Sequence, residues 1–155
     1  MPPFEIDHLN SLKEFEGREL PPTDWFVVTQ ERIQKFADAT EDRQWIHLDT
    51  QRAAAESPYK VAVAHGFLTL SLLSSLVAQA IRVRHGIALR INYGLDHVRF
   101  PSAVPSGCAI RARVKLSSVK GSPNFVDLVL SVTVERQGSD KPCCVADWIV
   151  RYYRG

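Results

Sequence analysis

The feature that most constrains the fold is a mainly apolar segment that begins at His65 and reads HGFLTLSLLSSLVAQAIRV. Its large apolar side chains fall nearly all round a helix, and a helix that is apolar on every side is buried in a core. The stretch from Phe67 to Ile81 is about 15 residues long and includes serines and a glutamine, so it is too short and too polar to cross a bilayer. The segment therefore predicts a helix buried at the centre of a soluble domain.

The last third of the chain alternates between apolar and polar residues, as strands with one buried face do. Turn sequences at 121–123 and 137–140 separate three such strands, and residues 88–99 predict another before them. The apolar series are Cys108, Ile110, Ala112, Val114 and Leu116, then Val126, Leu128, Leu130, Val132 and Val134, and finally Cys144, Ala146, Trp148, Val150 and Tyr152.

One buried helix and about five antiparallel strands pack most simply when a curved sheet wraps around the helix. This is the hot-dog architecture, of the α+β class, and we expect residues 1–155 to form a single domain of this kind. The edge strands and the second sheet face would need cover, so we predict a homodimer.

The first half of the chain carries local start signals. Residues 25–28 predict a strand, and Thr29 is expected to cap a helix over 30–39. Residues 40–49 are expected to form a loop, after which Asp49 caps a helix from Thr50 to Glu56. A further short helix is expected within 6–16.

Charge and cysteine content limit the classes of partner. The net charge of +2 gives no reason to expect nucleic acid, and the three cysteines predict no disulfide framework. Cys108 and Cys144 lie on apolar strand faces, so we expect packing rather than nucleophilic roles. We expect a reduced, cytoplasmic setting, with no signal peptide and no membrane partner.

Asp42 and His47 are the first candidate for chemistry. They lie five residues apart in the predicted loop, where a carboxylate and an imidazole can converge on one water as an acid/base pair. The spacing alone is equally compatible with a capping aspartate and a packed histidine.

His65 and Gly66 begin the buried helix. An unpaired amide at a helix start, on a glycine that lets a ligand approach closely, can hold the oxygen of a carbonyl. Gly66 would also serve simply to permit a tight entry into the helix.

Three ordered stretches together resemble the MaoC-like hydratases, and in particular their NodN-like branch, which is related to the R-specific enoyl-CoA hydratases. They are TEDRQWIHLDTQRAA (40–54), VAHGFLTLSLL (63–73) and INYGLDHVRFPSAVPSGCAIRARV (91–114). The sequence departs from the family pattern at Glu41, where glycine is usual, and at Gln44-Trp45, where Asn-Pro is common. These departures leave the acyl chain of the substrate open.

The resemblance implies a dimeric hot-dog lyase that adds water to a 2-enoyl thioester of coenzyme A or acyl carrier protein, or removes it. It assigns catalysis to Asp42 and His47, a carbonyl-polarising amide to Gly66, and a supporting role to Ser74. Asn92, Tyr93 and Gly94 match a segment whose role is open. No cofactor or metal is implied. The candidates for the carrier's phosphates are Arg82, Arg84, Arg90 and the group Arg111, Arg113 and Lys115.

Three other functions stay open from the sequence. A hot-dog thioesterase commonly has a carboxylate on the central helix, but residues 66–81 contain no Asp or Glu. A non-haem iron enzyme would use His47 and Asp49 with His97. A subunit that binds acyl thioesters without turnover would keep the fold alone.

Overall fold

The computed structural model describes every residue from Met1 to Gly155 and contains a five-stranded antiparallel sheet. Its strands are β2 (Phe26–Val27), β4 (Ile87–Arg99), β5 (Ala109–Gly121), β6 (Phe125–Arg136) and β7 (Cys144–Arg154). Across the sheet they are ordered β2-β5-β6-β7-β4. A separate parallel pair joins β1 (Phe4–His8) to β3 (Ile81–His85).

The helices lie on one side of this sheet. They are α1 (Gln30–Thr40), α2 (Trp45–Leu48), α3 (Thr50–Glu56), α4 (Gly66–Ser71) and α5 (Leu73–Ala80), with a 3₁₀ helix at Leu9–Phe15. The buried faces of α4 and α5 share one core cluster with the apolar faces of β5, β6 and β7. Leu76 of α5 and Leu128 and Leu130 of β6 are completely buried there. The expected hot-dog arrangement, a sheet wrapped around an apolar helical segment, is confirmed.

Both predicted helix caps are confirmed. The Thr29 hydroxyl accepts a hydrogen bond from the Arg32 amide, and the Asp49 carboxylate accepts one from the Arg52 amide. Each cap satisfies an amide that the first helical turn leaves without a partner.

The central helix differs from the prediction. It is interrupted at Leu72 and ends at Ala80, and the residues expected to continue it form β3 instead. Nor is it buried on every side, because 67% of the Phe67 surface is exposed. Residues from Ile81 onward leave the helix because β1 offers them a hydrogen-bonding partner from the other end of the chain.

The short helix expected within 6–16 is confirmed as the 3₁₀ helix at Leu9–Phe15. Two smaller predictions were wrong. The expected loop 40–49 contains α2, one short turn of helix that carries His47. Cys108 lies just before β5 and is partly exposed.

No helix is both long enough and apolar enough to span a membrane.

Candidate active site

The site forms where the turn that carries His47 meets the start of α4. The Val63 amide donates to the Ile46 carbonyl, which ties α2 to the extended segment before α4. The Gln30 side chain, from α1, donates to the His47 carbonyl over 2.7 Å. His47 is therefore held by contacts from two other parts of the chain, α1 and the segment before α4.

The proton on the His47 ring is located by a carbonyl. His47 Nδ1 lies 2.7 Å from the Val63 oxygen, and a carbonyl oxygen can only accept a hydrogen bond. Nδ1 therefore carries the proton, and Nε2 has a free lone pair. Burial lowers the pKa of the His47 imidazole below its ordinary value, and the hydrogen bond to Val63 and, to a smaller extent, the Asp42 carboxylate offset this only in part. His47 is thus neutral and ready to accept a proton near neutral pH.

Asp42 lies beside the two histidines on the solvent side. Glu41 ends α1 in a left-handed conformation, with φ of 62°, which turns the chain into this position. One ligand atom from each of Asp42, His47 and His65 lies within 4.8 Å of the others. The Asp42 side chain is exposed, and its closest partner is the Gln44 amide at 3.5 Å. The carboxylate is free to hold a water next to His47.

These three residues raise the question of a metal ion. The His47 and His65 rings are stacked, with centroids 3.8 Å apart and planes 24° apart. A metal about 2.1 Å from a nitrogen of each ring would lie well out of at least one ring plane, away from the in-plane lone pair that binds it. The donor set therefore fits proton transfer better than coordination.

Gly66 provides the third element. Its amide is the first of α4 and donates no hydrogen bond within the chain. An added Cβ at Gly66 would lie only 3.0 Å from the Phe100 ring, so only glycine leaves this wall unobstructed. Gly66 and His47 line one cavity of about 310 Å³. Its other lining residues are Ile46, Tyr59, Val63, Ala64, Thr69, Phe100, Pro101, Ser102, Ala103, Val104 and Cys143.

Sequence reasoning missed two cavity residues of note. Thr69 is three residues after Gly66, hence on the same helical face, and is 1% exposed. Phe100, just after β4, forms the wall opposite Gly66. The three-residue spacing from Gly66 could have predicted that Thr69 lines the site. No feature of the sequence around Phe100 indicates that this residue reaches the site.

The other predicted site residues do not join this cavity. Ser74, Asn92 and Gly94 line a second cleft of about 300 Å³ between α5 and β4. Tyr93 lines neither cavity, and the Arg151 guanidinium covers its ring at 4.0 Å. The cavity at the start of α4 and the cleft between α5 and β4 are therefore two separate features of one chain.

The structure also separates the residues of the iron alternative. The Asp49 carboxylate caps α3, and His97 pairs with Asp147 at 2.9 Å on the outer face of the sheet. Neither is available to join His47. Nucleophilic cysteine chemistry is equally disfavoured, because burial raises the pKa of Cys143 to about 12 and of Cys144 to about 11.

Most candidate arginines are already paired with carboxylates. Arg84 pairs with Glu5, and Arg111 and Arg113 share Glu135. Arg90 instead lines a cleft of about 400 Å³ that also includes Ser74 and Asn92. Arg111 also lines a cavity, of about 470 Å³, but there it is paired with Glu135, whereas no carboxylate pairs with Arg90.

The fold, the neutral imidazole, the carboxylate and the free helix-start amide together define a hot-dog protein of the hydratase and dehydratase class. The family description MaoC like domain matches residues 13–137. The chain therefore belongs to the MaoC-like dehydratase family.

Two proteins with similar sequences support this family assignment. Over 137 residues, the chain is 50% identical to 3-hydroxyacyl-thioester dehydratase Z of Mycobacterium tuberculosis, which covers 88% of the chain and 89% of the relative. It is 41% identical to Nodulation protein N of Rhizobium meliloti, over 91% of the chain and 88% of that protein.

Solved structures agree on the fold. A protein from Archaeoglobus fulgius described as a monoamine oxidase regulatory protein superposes with a TM-score of 0.76 at 19% identity, over 100% of this chain and 99% of that one. The unliganded R-hydratase PhaJ1 of Pseudomonas aeruginosa gives 0.67 at 23% identity, over 87% and 79%.

Proposed function

We propose that the chain interconverts a 2-enoyl thioester and the corresponding 3-hydroxyacyl thioester by adding or removing water. The observation that carries this proposal is the hydrogen bond from His47 Nδ1 to the Val63 carbonyl. It leaves Nε2 as a base in a cavity that also presents the free Gly66 amide. The name of the mycobacterial relative, a 3-hydroxyacyl-thioester dehydratase, supports this class of substrate.

In the hydration direction, Asp42 and His47 hold one water between them. His47 Nε2 takes a proton from the water while its oxygen attacks C3 of the enoyl group. The negative charge that develops on the thioester oxygen is stabilised by the Gly66 amide. The proton returns through Asp42 to C2, so both residues regain their starting states. Only a proton and a hydroxide are added, so the reaction needs no redox cofactor.

The carrier is proposed to be coenzyme A or acyl carrier protein, and the hydroxy product to have the R configuration. The shared fold with R-hydratases supports the second point. Chiral separation of the product from crotonyl-CoA tests it directly, and an S product would contradict it.

The protein is also proposed to be a homodimer. β4 is an edge strand of 13 residues that pairs only with β7. Its apolar side chains are open to solvent, with Leu89 51% and Tyr93 55% exposed. A long apolar edge left uncovered invites association, and pairing with a second copy removes it.

The catalytic proposal is tested with Asp42→Asn and His47→Ala in a spectrophotometric hydration assay on crotonyl-CoA. Each acid/base group contributes about 10²–10⁴-fold, so each variant should lose at least about a hundredfold in kcat. Asp38→Asn and His85→Ala are matched controls, because both side chains are exposed and lie outside the site.

The same assay separates the alternatives. Full activity in both site variants, with controls active, would refute the catalytic assignment. Release of free thiol would indicate a thioesterase, and tight binding of crotonyl-CoA without any turnover would indicate a binding subunit.

A further inference from the structure

His65 contacts both members of the proposed catalytic pair. Its ring is 2% exposed and stacks on the His47 ring with centroids 3.8 Å apart. Its Nε2 lies 2.9 Å from the Asp42 backbone oxygen. Phe36 packs against the ring as well, with centroids 4.9 Å apart. His65 therefore links the segment that carries Asp42 to the ring of His47.

The two histidines hold their protons on opposite nitrogens. Because a carbonyl oxygen only accepts, His65 must donate from Nε2 to Asp42, whereas His47 donates from Nδ1 to Val63. His65 Nδ1, by contrast, is buried with no hydrogen-bond partner. A donor or acceptor left unpaired in the interior is costly, so the ring is fixed in place through Nε2 alone.

We propose that His65 is a positioning residue for the catalytic pair. Its flat face holds the His47 imidazole in the orientation that presents Nε2 to the cavity. Its donated hydrogen bond holds the Asp42 backbone beside that ring. His65 itself neither gives nor takes a proton during the reaction. This inference rests on the proposed hydratase function and adds to it a residue that acts through the other two.

Two substitutions each remove one of the two contacts of His65, the stacking on His47 or the hydrogen bond to Asp42. His65→Gln keeps an amide that can donate to the Asp42 carbonyl but removes the ring. His65→Phe keeps a ring against His47 but removes the donor. A small displacement of a catalytic group costs up to about 10²-fold. We therefore expect kcat on crotonyl-CoA to fall about 10- to 100-fold in each, with a smaller change in KM.

The pH profile distinguishes positioning from general structural damage. The titratable groups around His47 are Asp42, His65, Tyr59 and Cys143. His65→Phe keeps a ring over His47, and with it the burial that is the main cause of the lowered His47 pKa, so the acid limb of kcat/KM should stay close to the wild-type pH. His65→Gln exposes the His47 ring to water, so its acid limb should move to higher pH.

A measurement on the unaltered protein guards against variants that fail to fold. Nitrogen-15 NMR of the imidazoles should place the donated proton on Nδ1 of His47 and on Nε2 of His65. A His65 ring whose proton lies on Nδ1 instead of Nε2 would overturn the inference. So would wild-type kcat in both folded variants, or a shifted acid limb in His65→Phe. If His47→Ala stays fully active, the proposed function itself fails, which is a separate outcome.

Discussion

Replacing Gly66 with alanine tests the proposed oxyanion amide while leaving the amide itself in place. A Cβ built at this position lies 3.0, 3.1 and 3.2 Å from three atoms of the Phe100 ring, against 3.4 Å for an ordinary contact. The ring must therefore move back by about 0.2–0.4 Å. Phe100 is 40% exposed, so it has room to do so.

The effect on stability should be small because two contributions oppose each other. Alanine is favoured over glycine in the middle of a helix by about 0.5–1 kcal/mol, which is an upper bound for Gly66 at the first position of α4. Displacing a half-exposed ring by a few tenths of an ångström costs a similar amount. We expect the free energy of unfolding to change by less than about 1 kcal/mol.

The effect on activity should be large. A donor stabilises the oxyanion when it lies about 2.7–3.1 Å from the oxygen, and the new methyl group stands in the cavity on the approach to the Gly66 amide. Losing one such donor costs about 10²–10³ in kcat, or roughly 2.7–4 kcal/mol.

The assay is hydration of crotonyl-CoA, run beside thermal unfolding. Gly121→Ala, whose Cβ would lie 3.5 Å from an Arg154 nitrogen at the far end of β5, is the matched control. The reasoning is refuted if Gly66→Ala melts like the wild type and keeps kcat within about threefold, a barrier change below about 1 kcal/mol.

Two further predictions concern acidity and assembly. Because burial lowers the pKa of His47 below 6.5, kcat/KM should persist as pH falls through 6.5 and decline only below it; an acid limb above 6.5 would contradict the burial argument. As the pH falls, His47 is protonated in the unfolded chain before it is protonated in the folded protein. The free energy of unfolding should therefore decrease below pH 6.5 until folded His47 is protonated as well. Thermal melts of His47→Gln should depend less on pH. Light scattering should give twice the mass of one chain for the wild type, and a single-chain mass for Ile91→Lys on β4. The control variant Val27→Lys, on β2 at the opposite sheet edge, should keep the dimer mass. A monomeric wild type would refute the dimer.

The strands and caps could be read from sequence because their signals are local. Alternation from Ala109 to Gly121 and from Phe125 to Arg136 follows from a sheet with one buried face, whatever its partners. Thr29 and Asp49 cap the amides a few residues ahead of them. Features of this kind depend only on residues that are close together in the sequence, so they can be predicted without knowledge of the fold.

The end of the central helix could not be read in this way. Ile81 to His85 is compatible with a helix face and with a strand, and β1, more than 70 residues earlier, decides between them. The second cleft is a similar case. Ser74 and Asn92 share it because α5 and β4 pack side by side, which no spacing in the sequence expresses.

The sequence by itself determined the residue types at the site: an aspartate, two histidines and a glycine at a helix start, in the order of one family. Only the tertiary structure decided their chemical states. The base is Nε2 of His47 because the Val63 carbonyl occupies Nδ1, and His65 donates from Nε2 because the Asp42 carbonyl lies beside that nitrogen. Proton positions depend on which acceptors surround a ring in space, and those acceptors come from segments that meet only when the chain has folded.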